Sequence, residues 1–351
     1  MRRRSLFSLT GLGLLATTGL GSCSPPDPSP SPGGDSPTPT KAGKLETLRV
    51  HVPTTLAFMA PMAVFGTLGH LDDAVGEVTL DNWATVDVLK SLLISKETDL
   101  AATPSYASAN LYNKGLPVRL VAITVWGMLF LLGPEGTANS GLAGLKGRRV
   151  AVPLPGNMPD LVFRYLLKNS QISADGGAEG VEIAPYEQAQ DALQGLLSGQ
   201  VDYAVLPEHA ATVAQNQAKQ NGRALDRTAD LQALWAEATG TQARFPMAGV
   251  VMPAELAEGN PGLVGNILTE LEAAVAQVNA TEATAVAAIT RATEVPEPVV
   301  TSVIPRLQLE VVPGAGAKDE LEDFYTRLME LSPDIVGGKL PDDAFYIADP
   351  R

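Results

Sequence analysis

Residues 145–168, LKGRRVAVPLPGNMPDLVFRYLLK, hold the arrangement in this chain most suited to gripping a polar molecule. A basic turn (Lys146, Arg148, Arg149) leads into an apolar run of strand length, Val150 to Val152, and then into a Pro/Gly loop, residues 153–156. Asn157 follows where a helix N-cap belongs, with Asp160 three places on, so a helix is expected to open there. A strand, a tight loop and a helix start in succession present free backbone N–H groups, and the positive end of the helix favours an anionic or strongly polar partner. Covalent chemistry has much less to work with. The three histidines, His51, His70 and His209, are scattered, and Cys23 is the only cysteine. The chain has no G-x-S-x-G elbow, no H-E-x-x-H and no histidine pair at metal-ligand spacing, so neither catalysis nor a metal or cofactor is expected.

The elements that would position such a loop occur twice. VLKSLLISKETDLAATPSYA (residues 88–107) and ALQGLLSGQVDYAVLPEHA (residues 192–210) share a leucine stripe at helical spacing, Leu89, Leu92 and Leu93 against Leu193, Leu196 and Leu197. In each, an acidic residue (Asp99, Asp202) then opens a short apolar strand. A proline (Pro104, Pro207) follows where the next helix should begin. One α/β unit used twice, about a hundred residues apart, implies two lobes of like build with a cleft between them.

A chain of 351 residues with 45% apolar and 18% charged content can bury the cores of two ordinary domains. Its net charge of −14 argues against nucleic acid, which requires a basic face. Residues 1–23 read as a targeting segment. Arg2, Arg3 and Arg4 precede an apolar stretch too short and glycine-rich to span a bilayer, and Leu20-Gly21-Ser22-Cys23 closes it. That closing tetrapeptide resembles the lipobox of bacterial lipoproteins, which implies lipidation of Cys23; the arginines ahead of Ser5-Leu6-Phe7 also resemble a twin-arginine export signal, and the export route stays open. Residues 24–44, crowded with Pro, Ser and Gly, form a tether with no core of its own.

Beyond the tether, alternation at Leu48, Val50 and Val52 predicts a first strand ending at Pro53-Thr54-Thr55, and a helix is expected to include residues 59–68. A second strand at 77–80 runs into Asp81-Asn82-Trp83. Residues 118–132, interrupted at Trp126-Gly127, read as a buried strand plus a crossing into the second lobe, and FPMAGVVM (residues 245–252) as the strand that returns. Asn260-Pro261 should start a helix with Leu263, Ile267, Leu271, Val275 and Val278 on one face; residues 281–291 and 317–331 are helical patterns expected to pack on the first lobe.

Taken in order, the Pro/Thr loop, NKGLPVRLVA (residues 113–122), LKGRRVAVPLPGN, the SGQVD at residues 198–202 and GGKLPDDAFY (residues 337–346) resemble solute-binding proteins of ABC importers, in particular binders of sulfonates, taurine, nitrate and the thiamine pyrimidine precursor. The resemblance implies an α/β, two-lobed periplasmic-binding-protein-like (type II) fold with two crossing strands and an interlobe cleft. It places lobe 1 at residues 45–128 and 249–351 and lobe 2 at residues 129–248. It further implies closure of the lobes on a small ligand, delivery to an ABC permease and its ATPase, and anchorage in the cell envelope through Cys23. A sensor lipoprotein of the same fold, or an enzyme of the pyrimidine-precursor kind, are the alternatives.

By position, the resemblance puts Thr54, Thr55, Trp83, Thr103, Ser105 and Tyr106 on the first wall, with Trp126 near the hinge. Gly156, Asn157, Met158 and Glu208, followed by His209, form the second wall. The family commonly has serine or threonine where this chain has Asn157, and no arginine falls in these loops, so a heterocycle or amidine is as well supported as an anion. Glu208 would suit a cationic or N–H-rich group.

Overall fold

The computed structural model describes residues 44–351; the expectations for the signal segment, Cys23 and the tether up to Gly43 lie outside the described residues. In chain order the first lobe begins β1 (Leu45–Pro53), α1 (Leu56–Met62), β2 (Val75–Trp83), α2 (Val86–Ile94), β3 (Leu100–Pro104), α3 (Ser105–Asn113), β4 (Val118–Val125). The second comprises β5 (Leu129–Pro134), β6 (Arg148–Pro153), α4 (Met158–Asn169), β7 (Val181–Tyr186), α5 (Ala189–Ser198), β8 (Tyr203–Pro207), α6 (Glu208–Gln220), β9 (Leu225–Asp230) and α7 (Leu231–Thr239). The chain returns through β10 (Ala248–Pro253) to α8 (Ala254–Gly259), α9 (Pro261–Asn279), α10 (Ala283–Thr293), α11 (Glu297–Val303), β11 (Leu309–Pro313) and α12 (Lys318–Met329).

The two sheets have the same plan. One runs β11-β4-β10-β3-β1-β2 and the other β9-β5-β8-β6-β7. In each, three parallel strands stand beside one antiparallel strand, β10 or β5, that the chain lays down directly after crossing between lobes. The repeated acid of the sequence sets the register. Arg49 N–H donates to Asp99 Oδ2 at 2.9 Å and Arg149 N–H to Asp202 Oδ2 at 2.9 Å, while each aspartate N–H returns to the arginine carbonyl at 2.9 Å. This reciprocal pair pins β3 to β1 and β8 to β6, just before the regular ladders begin at Val50–Leu100 and Val150–Tyr203.

Residues 126–128 and 240–247 join the lobes. They lie side by side, with Phe245 N–H on Trp126 O at 2.9 Å and Met247 N–H on Val125 O at 3.0 Å. Both helix starts of the repeat are tied to them: Ser105 N–H donates to Met247 O at 2.9 Å, and Glu208 N–H to Met128 O at 2.8 Å. A Cβ at Gly127 would lie 2.4 Å from Gln308 Oε1 and 2.6 Å from Gln232 Cγ, so any larger residue would have to displace both glutamines. A buried aromatic cluster then continues the core from lobe to lobe. Trp235 of α7 packs on Tyr165 of α4 (4.9 Å between ring centres), on Phe245 of the crossing (5.6 Å) and on Phe324 of α12 (5.4 Å).

The first helix is shorter than its apolar pattern suggests. It stops at Met62, after Pro61 interrupts the amide ladder, and the chain turns through Gly66 and Gly69, both at positive φ. The N–H groups of Gly66, Leu68 and His70 donate instead to the fully buried carboxylate of Glu270 on α9, at 2.8, 2.9 and 3.0 Å. The helix at residues 261–279 matches expectation, with all five of its predicted stripe residues buried.

Candidate ligand-binding cleft

Parallel strands end on one edge of their sheet, so the loops after β1, β2 and β3 form one rim and those after β6, β7 and β8 another. In open α/β sheets this carboxyl edge is where ligands bind. One hydrogen bond joins residues that the sequence places on opposite walls: Tyr106 Oη–H donates to Asn157 Oδ1 at 3.2 Å. Asn157 occupies the N-cap of α4, but its side chain does not cap that helix. Beside it Gly156 is exposed at φ +72°, a conformation glycine takes without strain, and its N–H donates to Asp160 Oδ2 at 2.9 Å. Met158 is buried beneath. On the first wall, Thr54 is exposed and Thr55 is half-buried at the start of α1, making no side-chain cap there.

Other residues singled out by position spend their polar groups on the scaffold. Trp83 is buried and its indole N–H donates to Ala102 O at 3.0 Å. Thr103 is buried with its hydroxyl 3.5 Å from Pro104 O. Ser105 donates to Pro246 O at 2.5 Å and its carbonyl accepts from Tyr325 Oη–H at 2.9 Å. Trp126 is buried, donates to Glu310 O at 3.0 Å, and carries the Arg244 guanidinium 4.0 Å above its ring. It lines a cavity of about 230 Å³ with Arg244, Gln308 and Glu310, at the β4/β11 end of the sheet and so away from β1 and β2.

Glu208, expected to meet a cationic or N–H-rich group, meets two arginines. Its carboxylate is fully buried. Arg227 Nη2 donates to both oxygens, at 2.6 and 2.8 Å, and Arg306 Nε donates to Oε1 at 2.7 Å. Thr212 Oγ1 adds a fourth bond at 2.8 Å. Arg227 lies on β9, while Arg306 arrives from the first lobe between α11 and β11. The arginines stand 19 and 98 residues from Glu208, so spacing could not have revealed them.

Tyr106 and His209 occupy equivalent places in the repeat, each second in a helix anchored to the crossing. Both are half-buried and both are kept neutral at pH 7: desolvation pushes the Tyr106 phenol up to about 12 and the His209 imidazole down to about 4. The sign for His209 is definite. The unfolded chain takes up its proton near pH 6.5 and the folded chain only near 4, so its contribution to stability is complete above pH 6.5 and falls away as the pH drops through that window. The loss should reach at most about 3 kcal/mol. His209→Gln should flatten the stability profile between pH 6.5 and 4 in urea unfolding; an unchanged slope would place the imidazole in ordinary solvent.

No family model and no curated protein matches the sequence. Solved structures do. An ABC transporter protein from Parabacteroides distasonis superposes with a TM-score of 0.69 at 25% identity, over 86% of this chain and 99% of that one. The periplasmic aliphatic sulphonate binding protein SsuA from Escherichia coli gives 0.67 at 15% identity, over 86% and 92%. The periplasmic nitrate-binding protein NrtA from Synechocystis PCC 6803 gives 0.60 at 13% identity, over 83% and 84%. The chain therefore has the two-lobed α/β fold of periplasmic binding proteins. Structures that share it include a ligand-binding component of an ABC-type import system from Staphylococcus aureus, and the sulphonate and nitrate binders above.

Proposed function

We propose that this protein is the extracytoplasmic solute-binding component of an ABC importer, lipid-anchored through Cys23, which captures a small polar metabolite between its lobes and hands it to a permease and its ATPase. The fold supports the class, and the lipobox-like Leu20-Gly21-Ser22-Cys23 supports the anchor. The observation that carries the reading is the bond between Tyr106 and Asn157, which joins the tips of β3 and β6 directly. One such bond is worth about 1 kcal/mol, a small share of what joins the lobes beside the Arg306–Glu208 bridge and the rings around Trp235. A solute touching both walls adds differential affinity for the closed state, and that difference is what drives closure. Tyr106, Asn157, Gly156 and Met158, with Thr54, Thr55 and His209 around them, are the residues assigned to contact. Glu208, Ser105, Trp83 and Trp126 hold the walls in place.

In a broad metabolite panel read by thermal shift, the full chain should be stabilised by a small solute, as linkage requires for any ligand of the folded state. Asn157→Ala and Tyr106→Phe should each weaken that solute about tenfold, equivalent to about 1.4 kcal/mol, and leave the unliganded melting temperature within a few degrees. Undiminished binding in both variants would move the site elsewhere. Cys23→Ser should release the protein from membranes on fractionation, and full retention would refute the anchor.

A further inference from the structure

We infer that the cleft takes an uncharged solute carrying adjacent hydrogen-bond donor and acceptor groups, and turns oxyanions away, although sulfonate and nitrate binders share its fold. This rests on the binding role proposed above. An oxyanion is held where helix N-termini offer free N–H groups and an uncompensated positive end. At the strand tips of the second lobe, and at α2 of the first, that positive end already faces carboxylates of the chain itself, whereas α1 and α3 carry no acid in their first turn. The loop before α4 is the clearest case. Asp160 sits in the first turn, 4% exposed, and takes the Gly156 N–H at 2.9 Å. The Asn157 N–H is bonded to Leu154 O at 3.0 Å, and Pro159 contributes no N–H at all.

The neighbouring helices repeat the pattern. Glu208 is buried in the first turn of α6, whose first N–H goes to Met128 O at 2.8 Å. Asp191 lies in the first turn of α5 and Asp87 in that of α2. Nearby cations are spent on these same acids: Arg164 donates to Asp160 Oδ1 at 2.7 Å, and Arg227 and Arg306 both bind Glu208. An incoming oxyanion would find these helix ends already compensated by acids of the chain, and Arg164, Arg227 and Arg306 already paired with them.

The groups that remain on the two walls are a phenol, a carboxamide, an imidazole and threonine hydroxyls. All are uncharged, and all combine donor with acceptor capacity, the neutral imidazole supplying one of each. A solute entering between Tyr106 and Asn157 must replace their mutual bond. It must accept from the Tyr106 O–H and donate to Asn157 Oδ1, the pattern of an amide or lactam edge. An oxyanion meets the first requirement, and meets the second only when the Asn157 carboxamide turns its NH2 inward and gives up the 3.4 Å contact from Nδ2 to Pro155 O.

Matched pairs that differ mainly in charge test this: nicotinamide against nicotinate and uracil against orotate, with methanesulfonate and nitrate, titrated calorimetrically into the full chain at pH 7.5 within the broad metabolite panel. The neutral member of a pair is expected to bind at least about tenfold more tightly than its anion, and Asn157→Ala to abolish that preference. Tighter binding of either ring anion, of methanesulfonate or of nitrate, with sensitivity to Asn157→Ala, overturns the inference while leaving the solute-binding role intact. Silence across the whole panel overturns that role and the inference with it. Asp160→Asn, which keeps an acceptor for the Gly156 N–H, should raise oxyanion affinity about tenfold; unchanged anion affinity in that variant would remove the electrostatic basis.

Discussion

Trp235→Ala is expected to cost about 4 kcal/mol of folding stability, the range for truncating a large buried aromatic ring. Trp235 is 2% exposed and touches Tyr165, Phe245 and Phe324, three rings contributed by three separate segments. Phe245 and Phe324 are themselves stacked, 5.6 Å apart with their planes 2° from parallel. The cavity would therefore lie where α4, α7, the crossing and α12 converge, and backbone tied into the crossing can collapse only partly to fill it. Trp235→Phe retains most of the packing and should cost about half as much. Urea unfolding monitored by far-UV circular dichroism gives both values. A loss under about 1 kcal/mol for the alanine variant would mean that the lobes do not share this core.

Glu208→Gln should be the next most costly change, at about 3 kcal/mol, because removing one member of a buried ion cluster strands its partners. Glu208 is wholly buried, while Arg227 and Arg306 keep side-chain exposures of 22% and 36%. Partial rehydration of those arginines holds the cost near the lower end of the range for broken buried pairs. Arg306→Met should cost far less, since Arg227 alone still donates to both carboxylate oxygens. The ordering Glu208→Gln well above Arg306→Met is what chemical denaturation should return. Equal losses would mean that the bridge to Arg306, and not burial of the acid, dominates.

Much of this architecture was legible because local pattern and global fold agree. The leucine stripes, the acid before each short strand and the proline after it recur at residues 88–107 and 192–210, and they correspond to α2-β3-α3 and α5-β8-α6. The crossings were readable from an apolar run broken at Gly127 and from the FPMAGVVM return. What escaped has physical reasons. The β9–α7 segment has no clean apolar periodicity, because Trp235 packs across a junction and not along a helix stripe; its signals were Asp230, whose side chain accepts from Gln232 and Ala233 N–H, and Gly240 in the left-handed conformation at the helix end. The apolar continuation after Met62 reads as more helix, although the N–H groups of Gly66, Leu68 and His70 go to buried Glu270 and not to a helical ladder. At the cleft, the positions of Tyr106 and Asn157 followed from the strand tips, while their direct bond and the commitment of Ser105, Trp83 and Glu208 to the scaffold depend on partners distant in sequence.

Closure can be read between two exposed positions on the opposing rims, Asn82 at the end of β2 and Glu187 just past β7. With Cys23 the only native cysteine, Asn82→Cys and Glu187→Cys in a Cys23→Ser background accept paired spin labels, and pulsed dipolar spectroscopy gives the distance between them. Adding the solute with the largest thermal shift should collapse the distribution to one short, narrow peak, and Asn157→Ala should broaden it again. A distribution that is the same with and without that solute would contradict capture by lobe closure.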